Sequence, residues 1–325
     1  MSWTGRAFHR AAPVIDVMLA PAVWVAAQTL MMVRRLTPPH APRAMRVLDR
    51  IGLYPLVDHY YEPLINMNRL RHPLDQPRDL PGVVLDVPAA MAMLEDLAPI
   101  AELDDVPATR VAGDRPVYHW DNTLFGPLDA WVLHGMVRRH RPRRILEVGC
   151  GMSTLVALRA AAMNTADGAP PCVHTCIEPY ENPWLAELPV RLVRTTAETA
   201  DLSLIEELEA GDILFIDSSH MIRPQGDVLT EVLHWLGRLR PGVIVHIHDV
   251  FTPRDYPDAM VRTYRFFWNE QYLVEAFLAF NARFSVLLPL HHLHATHPEE
   301  TARLCPQQQR PGVTPPSSFW IGCTG

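Results

Sequence analysis

Arg144-Ile-Leu-Glu-Val-Gly-Cys-Gly-Met-Ser-Thr154 decides how this chain is read. Residues 144–148 form a short apolar run interrupted by Glu147, the pattern of a buried strand. Gly149 and Gly151 then free the backbone for a tight turn. Ser153 and Thr154 are caps for a helix running through Leu155, Val156, Leu158 and Ala161. Strand, glycine turn and helix N-terminus together make a corner suited to a nucleotide or a carboxylate. A dinucleotide fingerprint needs a third glycine where Thr154 stands. What remains is an acid closing the strand followed by G-x-G: Glu147-Val-Gly149-Cys-Gly151.

Downstream, apolar runs alternate with helical patterns. Strands are expected over 172–177, 189–193, 212–216, 242–247, 284–288 and 318–321, and helices over 205–208, 227–239 and 260–280. Such alternation predicts parallel pairing with right-handed crossovers, and the last two runs read as a hairpin-like pair. The expected fold is α/β: a Rossmann-like seven-stranded, mostly parallel sheet with helices on both faces. It occupies residues 118–325, after an N-terminal helical and loop extension over 1–117. Ligands of such sheets bind beyond the carboxyl ends of the strands. The residues ending these strands are Glu147 and Gly149, Glu178, Asp217, and His248 and Asp249. Buried carboxylates are costly, so apolar runs that end repeatedly in acids point to a site.

The 325 residues, 48% hydrophobic and 20% charged, suffice for a sizeable core. A net charge of −7 without a long basic run argues against a nucleic-acid partner. Five cysteines show no disulfide or zinc spacing, which suggests reduced thiols and a cytoplasmic setting. Residues 14–33 are apolar apart from Asp16, Gln28 and Thr29, with Pro21 inside and Arg34-Arg35 after them. The order of expectation is a buried or partner-packing helix, then peripheral membrane contact, then a true span. Tyr54, Asp58, His59, Tyr60, Tyr61, Glu62 and Asn66 cluster in the following loops, as a packed loop or one wall of an acceptor pocket. His246, inside a strand, reads as structural. His291, His292, His294 and His297 read as a solvated, proline-bounded loop.

The glycine corner and the acid-ended strands resemble class I S-adenosylmethionine-dependent methyltransferases. The runs Gly211-Asp-Ile-Leu-Phe-Ile-Asp-Ser-Ser-His220, Pro241-Gly-Val-Ile-Val-His-Ile-His-Asp249 and Arg265-Phe-Phe-Trp-Asn-Glu-Gln-Tyr-Leu273 look like a bacterial branch of small-molecule and sugar O-methyltransferases. The resemblance covers residues 118–321. It implies S-adenosyl-L-methionine as cosubstrate, Glu178 on the ribose hydroxyls, and Glu147, Gly149, Gly151, Ser153 and Asp217 about the rest of it. The adenine is expected near residues 196–198. Asn122, Phe125 and Gly126 are candidates for closing over the cosubstrate, or for a loop packed on the sheet edge. Catechol-type and macrolide-sugar enzymes place a divalent metal between acids ending the fourth and fifth strands, which implies a Mg2+-type ion at Asp217 and Asp249. Catechol-type enzymes also imply a base at His220. Val250 stands where they have an asparagine ligand, with His248 as a substitute. The function implied is O-methylation of a small-molecule acceptor, with His220, His248 and Asp249 as catalytic candidates. A nucleotide- or NAD-dependent enzyme and a non-catalytic binding protein on the same sheet are the other classes.

Overall fold

The computed structural model describes residues 3–36, 38–63, 66–97, 99–111, 113, 116–180 and 182–325. They form two compact units, Met1–Arg71 and His72–Gly325. The first is helical. Helix α1 (Trp3–Leu36) continues through Pro13 and Pro21, and α2 (Pro42–Ile51) ends on Gly52, whose left-handed conformation returns its N–H to the Leu48 carbonyl. The stretch Ala12–Leu36 is long and apolar enough to cross a membrane and is not buried within the chain. Of the first expectation for residues 14–33, a buried or partner-packing helix, burial within the chain is not what the structure has: Val17, Met18, Trp24 and Val25 are all exposed.

The second unit begins at His72. Burial explains where it starts. Leu94 of α3 (Val87–Glu95), with Leu97 and Leu103, joins the core under α4 (Pro127–His140) and α5 (Met152–Ala166). Between α4 and α5 lies β1 (Arg144–Val148). The chain continues through β2 (Val173–Ile177), β3 (Arg191–Val193), α6 (Ser203–Glu206) and β4 (Ile213–Ile216). Next come α7 (Asp227–Leu229), extended by a π-helical turn over Thr230–Trp235, and β5 (Ile244–Ile247). The last elements are α8 (Glu270–Leu278), β6 (Phe284–Pro289), α9 (Leu290–Thr296), α10 (Pro298–Leu304) and β7 (Phe319–Cys323).

The seven strands form one sheet in the order β3-β2-β1-β4-β5-β7-β6. All pairings are parallel except those of β7, which runs antiparallel to both β5 and β6. Side chains alternate across the sheet. Ile145, Ile213 and Phe215 face one core, while Leu146, Val148, Leu214 and Ile216 face the other. Register aligns the strand ends: Val148 lies beside both Ile177 and Ile216, and Ile216 beside Ile247. Each of these residues is followed by the residue expected at the ligand edge: Gly149, Glu178, Asp217 and His248.

Two expectations change. The single long helix over 260–280 is broken: a π-helical turn covers Ala259–Thr263, and α8 starts only at Glu270. Arg265 takes a left-handed backbone conformation (φ 58°) that ends the first piece, and Asn269 Oδ1 accepts the Ile222 N–H at 2.6 Å. Three of the four late histidines are also not in a loop, and His297 alone lies between two helices. His291, His292 and His294 belong to α9, and the partly buried His291 Nδ1 donates to the Pro316 carbonyl at 3.1 Å.

Candidate active site

Gly149 permits the closest approach in the sheet. It sits at φ 75°, and a Cβ there would lie 1.8 Å from the Asp217 carbonyl oxygen. No side chain fits, so the end of β1 can lie directly against the end of β4. Next to this junction Glu178 turns its carboxylate back onto the glycine loop. It accepts the Cys150 N–H at 3.1 Å and the Tyr180 N–H at 2.9 Å. A cavity of about 310 Å³ opens here, lined by Val148, Gly149, Glu178 and Asp217, and by Thr196, Ala197 and Glu198 across from them. A carboxylate at its wall suits two vicinal hydroxyls, since it only accepts. Glycine backbone, the Glu178 carboxylate and the 196–198 segment thus surround one space.

Other members of the expected set lie elsewhere. Glu147 is 1% exposed, accepting from Ser153 Oγ at 2.6 Å and from His174 Nε2 at 2.7 Å. Burial alone would lower the His174 pKa, but its bonds to Cys176 and Glu147 lift it to about 10. Glu147 and Ser153 therefore tie α5 to the sheet interior, and neither lines the cavity. Gly151 is also absent from the lining, and its N–H goes to Thr154 Oγ1 at 3.1 Å. Asn122 Oδ1 accepts the Leu124 and Phe125 N–H groups, Phe125 is buried against His248, and Gly126 precedes α4. That segment is a packed loop on the sheet.

Asp217 joins the cavity to a second group. His220 Nε2 lies 3.3 Å from Asp217 Oδ1 and 3.6 Å from Asp249 Oδ2. Ligand atoms of Asp217, His220 and Asp249 fall within 4.8 Å of one another. Both His220 (φ 58°) and Asp249 (φ 55°) adopt left-handed backbone conformations, which non-glycine residues rarely hold without support. The support is visible. His220 Nδ1 donates to Glu270 Oε2 at 2.8 Å, its ring packs 4.3 Å from the Trp268 ring, and its carbonyl accepts the Asn269 N–H at 3.0 Å. Asp249 Oδ1 accepts from Ser317 Oγ at 2.8 Å.

Burial on its own would lower the His220 pKa, yet Asp217, Glu270 and Asp249 hold it well above the usual value. Asp217 is the counterpart. Burial would raise it, but His248 and His220 bring it below the ordinary carboxylate range. Behind Glu270 stands Glu231, pushed well above the usual range by burial first and by the Glu270 charge second. Glu231 accepts from Ser218 Oγ at 2.8 Å, and Ser218 lines the cavity.

His248 is outside the Asp217–His220–Asp249 group. It is buried, 4.0 Å from Asp249 Oδ1, and reaches that carboxylate through Ser317. Among the described residues the late histidines form no metal-binding group. Glu270, Trp268 and Ser317 complete the site and were not anticipated.

Comparison with known proteins bears on the same strands. Residues 146–250 match a family model described as a methyltransferase domain. A relative from Archaeoglobus fulgidus, described as an uncharacterized protein, is 26% identical over 162 residues, covering 46% of this chain and 72% of its own length. Similar solved structures include the Podospora anserina methyltransferase PaMTH1 bound to S-adenosylhomocysteine, at 16% identity and a TM-score of 0.37 over 74% of this chain and 89% of that one. An apo structure of CmcI gives 16% identity and a TM-score of 0.37 over 70% and 94% of the two chains. The family match falls on β1 through the end of β5, where the sheet carries the cavity and its acids. Over residues 146–250, then, the chain is similar to a methyltransferase domain.

Proposed function

We propose that this methyltransferase O-methylates a hydroxyl of a small molecule, such as a sugar or another natural product. One observation carries the reading: His220 turns Nε2 toward the Asp217 edge of the cavity while Glu270 holds its Nδ1. An imidazole oriented through one nitrogen presents the other for proton transfer. A hydroxyl needs such a group because it is a poor nucleophile while protonated.

S-adenosylmethionine, held at Glu178 and Gly149, supplies a methyl group already activated by its sulfonium. The protein therefore contributes alignment and a proton acceptor. Glu178 and the glycine corner position one reactant. Asp249, fixed by Ser317, and His220, fixed by Glu270 and Trp268, face the other. The two carboxylates of this group are also oxygen donors of the kind that fits a divalent ion of the Mg2+ type. An ion held by Asp217 and Asp249 would supply positive charge that lowers the pKa of a bound hydroxyl and relieves the field that keeps His220 protonated.

The test uses purified protein, methyl-labelled S-adenosylmethionine and a panel of catechols, glycosides and polyketide alcohols, with products read by mass spectrometry. Label in an alkali-stable ether is expected. Label on an amine, or released as methanol by mild base, would replace this reading with N- or carboxyl methylation. Binding of S-adenosylhomocysteine without transfer to any acceptor would favour the binding-protein class. The cytoplasm, where the cosubstrate is made, is the setting this chemistry requires.

A further inference from the structure

We propose that α1 is a single membrane span, with α2 lying on the anionic leaflet at its C-terminal end and the His72–Gly325 unit on the cytoplasmic side. The inference starts from which faces of α1 are apolar. At 100° per residue, Val17 and Trp24 project one way and Leu19 and Val23 roughly the opposite way, with Met18 and Val25 between them. All six are exposed. A helix that docks on a protein surface needs one apolar stripe, whereas one that is apolar all round belongs in a core or in lipid. The core is excluded here, because the Ala12–Leu36 window is not buried within the chain.

Length agrees. Between Asp16 and Arg34 lie 17 uncharged residues, positions 17–33. At a rise of about 1.5 Å per residue they span roughly 25 Å, and the 25 residues of Ala12–Leu36 span about 37 Å, bracketing a hydrocarbon core of about 30 Å. Asp16 and Arg34 then fall at the two interfaces. The polar groups inside are few, and Thr29 Oγ1 donates to the Val25 carbonyl at 3.0 Å, satisfied within the helix.

Charge sets the partner and the orientation. Arg34, Arg35, Arg43, Arg46 and Arg50 follow the span, against Arg6 and Arg10 before it. Arg34 also pairs with Glu62, but acidic residues weigh little in this rule. The richer arginine flank stays cytoplasmic. Arg43, Arg46 and Arg50 share one face of α2, while Val47 and Ile51 are exposed on the next, as in a helix lying among anionic headgroups. The arrangement would keep the catalytic unit on the side where S-adenosylmethionine is available and close to a membrane surface.

The full chain is expressed in bacteria, and membranes are washed with high salt and then alkaline carbonate. The protein should stay in the pellet through both washes, at its full mass, and the purified protein should float with vesicles of phosphatidylcholine and phosphatidylglycerol. Trp24→Arg with Val25→Arg should move most of it to the supernatant while S-adenosylhomocysteine binding persists. Should that variant be degraded, the wild-type washes decide. Protease added outside inverted vesicles should remove the catalytic unit, and protease outside right-side-out vesicles should not. Release by salt or carbonate would leave only peripheral contact, loss of the N-terminal residues would mark a cleaved signal, and a soluble oligomer would make α1 a protein-docking helix. Each of these, or the opposite protease pattern, overturns the proposal. None of the arms reads methyl transfer, so failure here is separate from failure of the proposed function.

Discussion

His220 Nδ1 donates to Glu270 Oε2 at 2.8 Å, joining a residue just beyond β4 to the first residue of α8. This bond decides which imidazole nitrogen faces Asp217 and Asp249. It exists because the chain breaks its helical course before Glu270, with Asn269 anchored to Ile222 N and to the His220 carbonyl. The break also brings Trp268 against the His220 ring. A local interruption of regular structure thus builds the part of the site that sequence periodicity does not show.

Glu270→Gln keeps the shape and a hydrogen-bond acceptor while removing the charge. Methyl transfer should fall about 10- to 100-fold, and the pH at which His220 loses its proton should drop, since one of the three carboxylates that raise it is gone. His220→Ala should cost about 10²–10⁴-fold in rate. Affinity for S-adenosylhomocysteine should be nearly unchanged in both. A pH–rate profile that does not move in Glu270→Gln would reduce Glu270 to a packing role. Normal turnover in His220→Ala would remove His220 from the chemistry and pass the role to His248.

Asp217 and Asp249 both face His220 Nε2, so an added divalent cation competes with the imidazolium proton for the same charge. Chelation should abolish turnover, and Mg2+ should restore it. Asp249→Asn should weaken Mg2+ binding measured by calorimetry without changing S-adenosylhomocysteine affinity. Full activity in the presence of chelator would leave metal-free chemistry, with Asp249 orienting His220.

Glu178 has two tasks, holding the Cys150 and Tyr180 N–H groups and presenting a carboxylate to the cavity. Glu178→Ala removes both and should weaken S-adenosylhomocysteine binding by at least about 1.5–3 kcal/mol, the range for a hydrogen bond to a charged group. Glu178→Gln keeps one acceptor oxygen and should lose less. Equal, unchanged affinities in calorimetry would move the ribose site elsewhere. Binding of NAD in preference to S-adenosylhomocysteine would overturn the cosubstrate itself.

Much of this fold was legible because acids punctuate apolar strands. Register then brings Glu178, Asp217 and Asp249 to one edge, as the strand ends imply. Glu147 shows where that reasoning stops. Being inside the strand, it faces away from the side taken by Val148, and so away from the cavity, which the two-residue period itself predicts. Glu270 and Ser317 were harder, lying 50 and 68 positions from the residues they hold. A clue was available for Glu270: Asn269 followed by an acid in a first turn is a helix-start pattern, outweighed here by the apolar period running through it. The exposure of residues 17–25 of α1 could not be read from hydropathy, because a buried helix and a lipid-facing one have the same composition.

His246 offers a test of the core beneath the site. Its ring stacks 3.9 Å from Phe215, meets Trp320 edge-on, and shares a 2.9 Å hydrogen bond with Ser318 Oγ. Burial first, and the nearby charge of His248 second, hold its pKa well below the usual value. The folded state therefore keeps His246 neutral, while the unfolded chain takes up a proton below about pH 6.5. The unfolded state then binds more protons, so stability is present above that pH and is lost as pH falls toward the depressed folded value. This one site contributes a slope of at most about 1.4 kcal/mol per pH unit. His246→Phe should lose the hydrogen bond to Ser318, worth about 1 kcal/mol, at neutral pH. It should also flatten the decline in stability below pH 6.5, so that the two proteins converge or cross on acidification. Urea unfolding of both proteins from pH 7 downward reads the difference, and parallel curves would show that His246 takes up its proton while folded.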